Sequence, residues 1–179
     1  LFEFFELDEC EEEKREYGEP LEYIKDITME NVSFTYKNGK EALKDINLHM
    51  KKGEKVAIVG ANGSGKTTLI KLLTCLYHSY DGKILVNGTD IKEYSASTIR
   101  KNLSVLFQDY VKYEMNLRSN VGFGDVYRQE NDEKINTVLR QTKLDNAFPN
   151  GLDTQLGLWF NDGIGLSGGQ WQKLAIARM

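Results

Sequence analysis

Cysteine and proline are both scarce, with two of each in 179 residues. Cys10 and Cys75 stand far apart and form no C-x-x-C pair. Neither a disulfide framework nor a zinc site is indicated, and a reducing compartment suits the chain. Long apolar runs are missing: no stretch approaches the roughly 18–20 residues of a membrane span. The acidic start also lacks the basic n-region of a signal peptide. This chain is therefore not expected to cross a membrane itself. A strong charge of one sign is absent too, the net value being −4. That figure hides an uneven distribution. Residues 1–19 hold nine acids against two bases, a net of −7, which leaves +3 for the remainder. A body so weakly basic gives no case for nucleic acid as a partner.

What is present is a complete phosphate-binding motif. Gly60-Ala61-Asn62-Gly63-Ser64-Gly65-Lys66-Thr67 fits G-x-x-x-x-G-K-[ST] without mismatch. The glycines allow backbone N–H groups to curl round phosphate oxygens with no Cβ in the way. Lys66 supplies a point charge for the β/γ-phosphates, and the Thr67 hydroxyl suits Mg²⁺. The context agrees on both sides. Lys55–Val59 reads as a short buried strand, and Thr68-Leu69-Ile70-Lys71-Leu72-Leu73 begins an apolar helix whose N-terminus favours anions.

Leu1–Leu7 is aromatic and resembles the tail of a longer helix, while Asp8–Glu19 is a charge run suited to a solvated linker. Alternation over Ile27–Tyr36 changes phase near Asn31, which predicts a bulge. Lys37–Lys40 is a turn, and Ala42, Ile46, Leu48 and Met50 continue an alternating strand. Asp81-Gly82 and Asn87-Gly88 bracket a strand over Lys83–Val86, and such dipeptides favour hairpin turns. Leu103–Phe107 is strand-like. From Asn131 the period becomes helical, with Asn131 as cap and Ile135, Val138, Leu139 and Thr142 on one face.

A second motif, Leu166-Ser167-Gly168-Gly169-Gln170, opens a further helix. Ser167 is a good N-cap and Gln170 occupies the capping-box position. The two glycines bare backbone N–H groups, making a second anion-type helix start about a hundred residues beyond the first.

Together these motifs resemble the ATP-binding-cassette (ABC) ATPases, over about residues 22 to 179. The fold implied is α/β: a P-loop NTPase core with an antiparallel β-subdomain and an inserted α-helical subdomain, C-terminally incomplete. Residues 1–19 would be a connector from a preceding membrane domain and 20–179 a partial ATP-binding domain. Within it, 20–95 would be the β-subdomain with the P-loop, and 96–179 the glutamine loop, helical subdomain and signature helix. By resemblance, Tyr36 stacks on adenine and Gln108 reaches Mg²⁺ and the attacking water. ATP would lie between the P-loop residues of one domain (Gly60, Asn62, Gly63, Ser64, Gly65, Lys66, Thr67 and Thr68) and Ser167, Gly168, Gly169 and Gln170 of another, packed head to tail. Lys66 and Gln108 are the catalytic candidates, and Thr67 and Gln108 those for metal.

The start and the segment Asp109–Gly124 resemble an exporter whose membrane domain and ATPase share one polypeptide, at the cytoplasmic face of a cell membrane. Asp162-Gly163-Ile164-Gly165 and Trp171 resemble bacterial peptide or bacteriocin exporters, and depart from the commoner T-E-V-G-E stretch. In the family an Asp-Glu strand and a switch histidine follow the signature helix. They are expected beyond Met179, since neither His49 nor His78 is positioned to replace the histidine. The competing readings are an ABC ATPase without transport duty and a non-catalytic ATP-binding fragment.

Overall fold

The computed structural model describes residues 18–179. Leu1–Leu7, Cys10 and all of the expected connector except Gly18 and Glu19 lie outside them. The chain divides into two compact units, one ending at Ser104 and one spanning Val105–Met179. Each has its own apolar core.

In the first unit, β1 (Asp26–Thr35) and β2 (Glu41–Lys51) form an antiparallel pair, with Ile27 opposite Met50 and Met29 opposite Leu48. The expected turn joins them: Tyr36 N–H donates to the Lys40 carbonyl, and Gly39 N–H to that of Tyr36, both at 2.9 Å. β3 (Asp81–Val86) pairs with the other edge of β1, and β4 (Thr89–Asp90) completes the order β2-β1-β3-β4. Asn87 and Gly88 both have positive φ, as a tight hairpin turn requires. Asp81-Gly82 differs from expectation, since it opens β3 rather than turning between strands. The predicted bulge is present. Asn31 sits at φ 49° with its N–H on Asn47 Oδ1 at 2.9 Å, and the register slips between Met29 and Val32. The slip is what lets Met29, Val32 and Phe34 all enter one core despite the broken alternation.

Helix α1 (Lys66–Leu73) buries Leu69, Leu72 and Leu73 in that core. Its far end is held by Arg100 of α2 (Ala96–Lys101), which donates to the carbonyls of Thr74 at 3.1 Å and Cys75 at 2.6 Å. A cation there complements the negative end of the helix dipole. Burial pushes the Cys75 thiol up from its ordinary value.

Two expected strands are corrected. Lys55–Val59 is neither a strand nor buried, and Val59 is 89% exposed. Leu103–Phe107 is likewise irregular. An apolar run of this kind forms a strand only when neighbours on both edges take its N–H and C=O groups and helices cover its faces. Among the described residues no ladder includes either segment.

The second unit is helical: α3 (Leu117–Gly122), α4 (Asp132–Gln141) and α5 (Gly168–Ala177). Asn131 caps α4 as expected, accepting from Lys134 N–H at 2.9 Å. Ile135 and Leu139 enter the core with Leu117, Val121, Leu156, Trp171 and Leu174. Arg118 of α3 pairs with Asp132 at the start of α4 and with Asp153 at 3.5 Å.

Candidate nucleotide-binding site

The P-loop lies in the first unit. Gly63 and Gly65 hold φ of 81° and 89°, which lets the chain double back before α1. Gly65 has a second reason to lack a side chain, because a Cβ there would run into the Ala42 carbonyl of β2. The Lys66 ammonium folds back over the loop. It donates to the carbonyls of Gly60 at 2.7 Å and Ala61 at 2.8 Å, with Ser64 Oγ at 3.4 Å. The loop is thus closed into a ring with one cation at its centre. α1 begins with no side-chain cap and no acidic residue in its first turn. Its leading N–H groups, which in any helix lack an intrahelical acceptor, have no capping side chain either and suit phosphate oxygens. These features fit a nucleotide triphosphate. Thr67 is exposed beside Lys66, where a metal on the phosphates could take its hydroxyl.

Tyr36 reaches the first turn of α1. Its hydroxyl and Thr68 Oγ1 are 2.7 Å apart, and Thr68 is only 4% exposed. The ring stands edge-on to Phe34 and Tyr77, with centroids at 5.0 and 5.9 Å, and remains half-exposed. The bond to Thr68 is a link that spacing alone does not reveal.

The signature residues lie in the second unit, at the start of α5. The capping box is formed: Gln170 N–H donates to Ser167 Oγ at 3.3 Å, and Ser167 N–H donates to Gln170 Oε1 at 2.9 Å. Trp171, Leu174 and Ala175 are buried, and Arg178 is half-buried. Gly168 and Gly169 meet nothing that would exclude a side chain, and neither has a positive φ. Glycine costs a helix about 1 kcal/mol relative to alanine. Among the described residues nothing in the surroundings of either glycine offsets that cost. Gln108 stands exposed in a turn of the same unit. Two residues on, the Tyr110 hydroxyl donates to the Gly168 carbonyl at 3.1 Å, a contact that no motif announces. No cluster of His, Cys, Asp or Glu able to hold a metal occurs among the described residues.

The ABC transporter family model matches residues 43–179. The subtilin transport ATP-binding protein SpaT of Bacillus subtilis is 48% identical over 99% of this chain. The nisin transport ATP-binding protein NisT of Lactococcus lactis subsp. lactis is 45% identical over the same share. In each case the chain spans 30% of the relative's length. A solved structure of a bacterial Atm1-family ABC exporter with ATP bound matches at TM-score 0.79 and 29% identity, over 91% of this chain and 28% of that one. The chain belongs to the ABC transporter family and has the fold of its ATPases.

Proposed function

We propose that this member of the ABC transporter family is the ATP-binding portion of a bacterial exporter whose cargo is a peptide of the bacteriocin kind. The observation that carries the reading is the pair of phosphate-type helix starts. One, at α1, is furnished with its own cation. The other, at α5, bears two glycines around which the described residues leave room for a side chain. The two starts are read as serving two different nucleotides. Two copies packed head to tail use each: Lys66 and the leading N–H groups of α1 hold the β/γ-phosphates. Ser167 and the bare backbone at Gly168 and Gly169 close over the γ-phosphate from the other copy.

In this reading Tyr36 offers its ring to the adenine and Gln108 orients the attacking water. Magnesium on Thr67 and Gln108 would supply charge neutralisation at the phosphates. Closure and reopening of the pair then move a membrane-embedded partner at the cytoplasmic face. Among the described residues no helix is long and apolar enough to cross a membrane. Val111, Phe123, Leu158 and Trp159 expose apolar surface in the second unit, with Trp159 87% accessible, and such a partner would cover it. The subtilin and nisin transport relatives support the choice of cargo.

The test is transport. The full-length protein, reconstituted in lipid vesicles, is expected to move a bacteriocin-type peptide when MgATP is supplied on the side of the ATP-binding domain. ATP binding and hydrolysis without movement of any such peptide would favour the non-transport ATPase instead. The adenine site is tested separately by calorimetry. Tyr36→Ala should weaken ATP binding by about 1–3 kcal/mol, the worth of base–aromatic stacking. Tyr36→Phe keeps the ring and loses only the bond to Thr68, so it should bind nearly as well. Equal losses in both variants would assign the role to the hydroxyl and remove the stacking account.

A further inference from the structure

The segment that follows Gln108 is fastened to the signature helix at both ends of that helix. At the N-terminal end, the Tyr110 hydroxyl donates to the Gly168 carbonyl at 3.1 Å. At the C-terminal end, Arg178 Nη2 donates to the Val111 carbonyl at 2.9 Å, and its guanidinium lies 4.8 Å from the centre of the Tyr113 ring. Tyr113 is anchored in turn. Its ring meets Phe123 at 5.3 Å and its carbonyl accepts from the Asn120 side chain, which is fully buried. Tyr110 also packs against the core that holds Trp171 and Leu174. Neighbouring residues of one short strap thus reach opposite ends of α5.

The first turn of α5 needs such a tie. Two successive glycines weaken a helix where they stand, and they stand where the backbone must meet a phosphate. The capping box fixes the Ser167 and Gln170 ends of that turn, and the Tyr110 hydroxyl fixes a carbonyl between them.

We propose that Tyr110 is a positioning residue. With Arg178 as the second anchor, it joins the glutamine segment and the signature helix into one body, and so aims the first turn of α5 at the nucleotide held by a second copy. This rests on the head-to-tail reading above. A shift of Gln108 then carries the signature with it.

The test uses the full-length protein and two readouts. Tyr110→Phe removes one oxygen and keeps the packing. Amide hydrogen exchange without nucleotide is expected to speed up at Gln170 and Trp171, whose N–H groups bond Ser167, with α4 unchanged. ATP-dependent association of the two ATP-binding domains should weaken about three- to tenfold, the range of one hydrogen bond. Affinity for nucleotide at the P-loop and thermal stability should stay at wild-type values, which a merely structural role would not predict. Arg178→Gln should act in the same direction. The double variant should be little worse than the worse single one, because loss of either anchor frees the strap. Unchanged exchange in Tyr110→Phe overturns the tie itself, whatever ATP does. Faster exchange with undiminished closure overturns the positioning role. A wild-type protein that fails to associate on ATP counts against the head-to-tail reading, and the exchange result still decides the tie.

Discussion

Lys66→Ala is expected to weaken MgATP binding by about 10- to 100-fold and to cut turnover by a further hundred- to thousandfold. The first figure follows from losing a charge-assisted bond to phosphate, the second from losing a preorganised cation where charge gathers in the transition state. The structure adds a reason why alanine is worse than mere loss of charge. The ammonium bonds the carbonyls of Gly60 and Ala61, so it also holds the loop closed around its own centre. Without it those carbonyls face the phosphates with no cation between, and like partial charges meet. Lys66→Met, close in length but uncharged, should therefore resemble alanine. Lys66→Arg keeps the charge but cannot seat a planar fork in a ring sized for a compact ammonium, and should recover binding only in part. Calorimetric titration on the full-length protein measures the affinity, and phosphate release the turnover. Undiminished affinity in Lys66→Ala would sink the P-loop assignment.

Both phosphate-type helix starts were legible because they are local. A glycine pattern followed by Lys66, and Ser167 with Gln170 three residues later, specify their geometry within a turn or two. The bulge at Asn31 was legible for the same reason, as a slip in a two-residue period. Lys55–Val59 and Leu103–Phe107 form no strand, because a buried strand is a property of its neighbours as well as of its own residues. An apolar composition records a preference for cover and cannot supply the cover. The contacts between Tyr36 and Thr68, and between Tyr110 and Gly168, join residues 32 and 58 positions apart. Tyrosine is a common strand and loop residue, and nothing in its spacing says which carbonyl or hydroxyl its own hydroxyl will find. The open surroundings of Gly168 and Gly169 needed coordinates as well. The sequence names the glycines, and only the structure shows the empty space about them.

Gly168→Asp should leave each copy able to bind ATP and should prevent the two copies from closing on it. The variant is expected to fold. A Cβ at this position meets nothing within 4 Å, and an acidic side chain in the first turn of α5 is favoured by the helix dipole. The P-loop of the same copy keeps Lys66 and its ring of carbonyls, so affinity at that site should stay within about twofold of wild type. The damage arises when the faces meet. A carboxylate then stands where the γ-phosphate of the other copy must come. Two like charges about 4 Å apart at an effective dielectric near 20 repel by about 4 kcal/mol. That is roughly a thousandfold loss in association, and hydrolysis should fail with it. Gly168→Asn, of equal size and no charge, separates repulsion from crowding. If it closes on ATP markedly better than the aspartate, charge dominates; if both fail equally, crowding does. Two measurements on the full-length protein are paired: nucleotide affinity at the P-loop, and association of the ATP-binding domains with a non-hydrolysable ATP analogue. Should Gly168→Asp abolish nucleotide binding at the P-loop, with association lost only in proportion, the signature would be acting on its own copy's nucleotide. The head-to-tail arrangement would then have to be given up, along with the reason offered here for the two glycines.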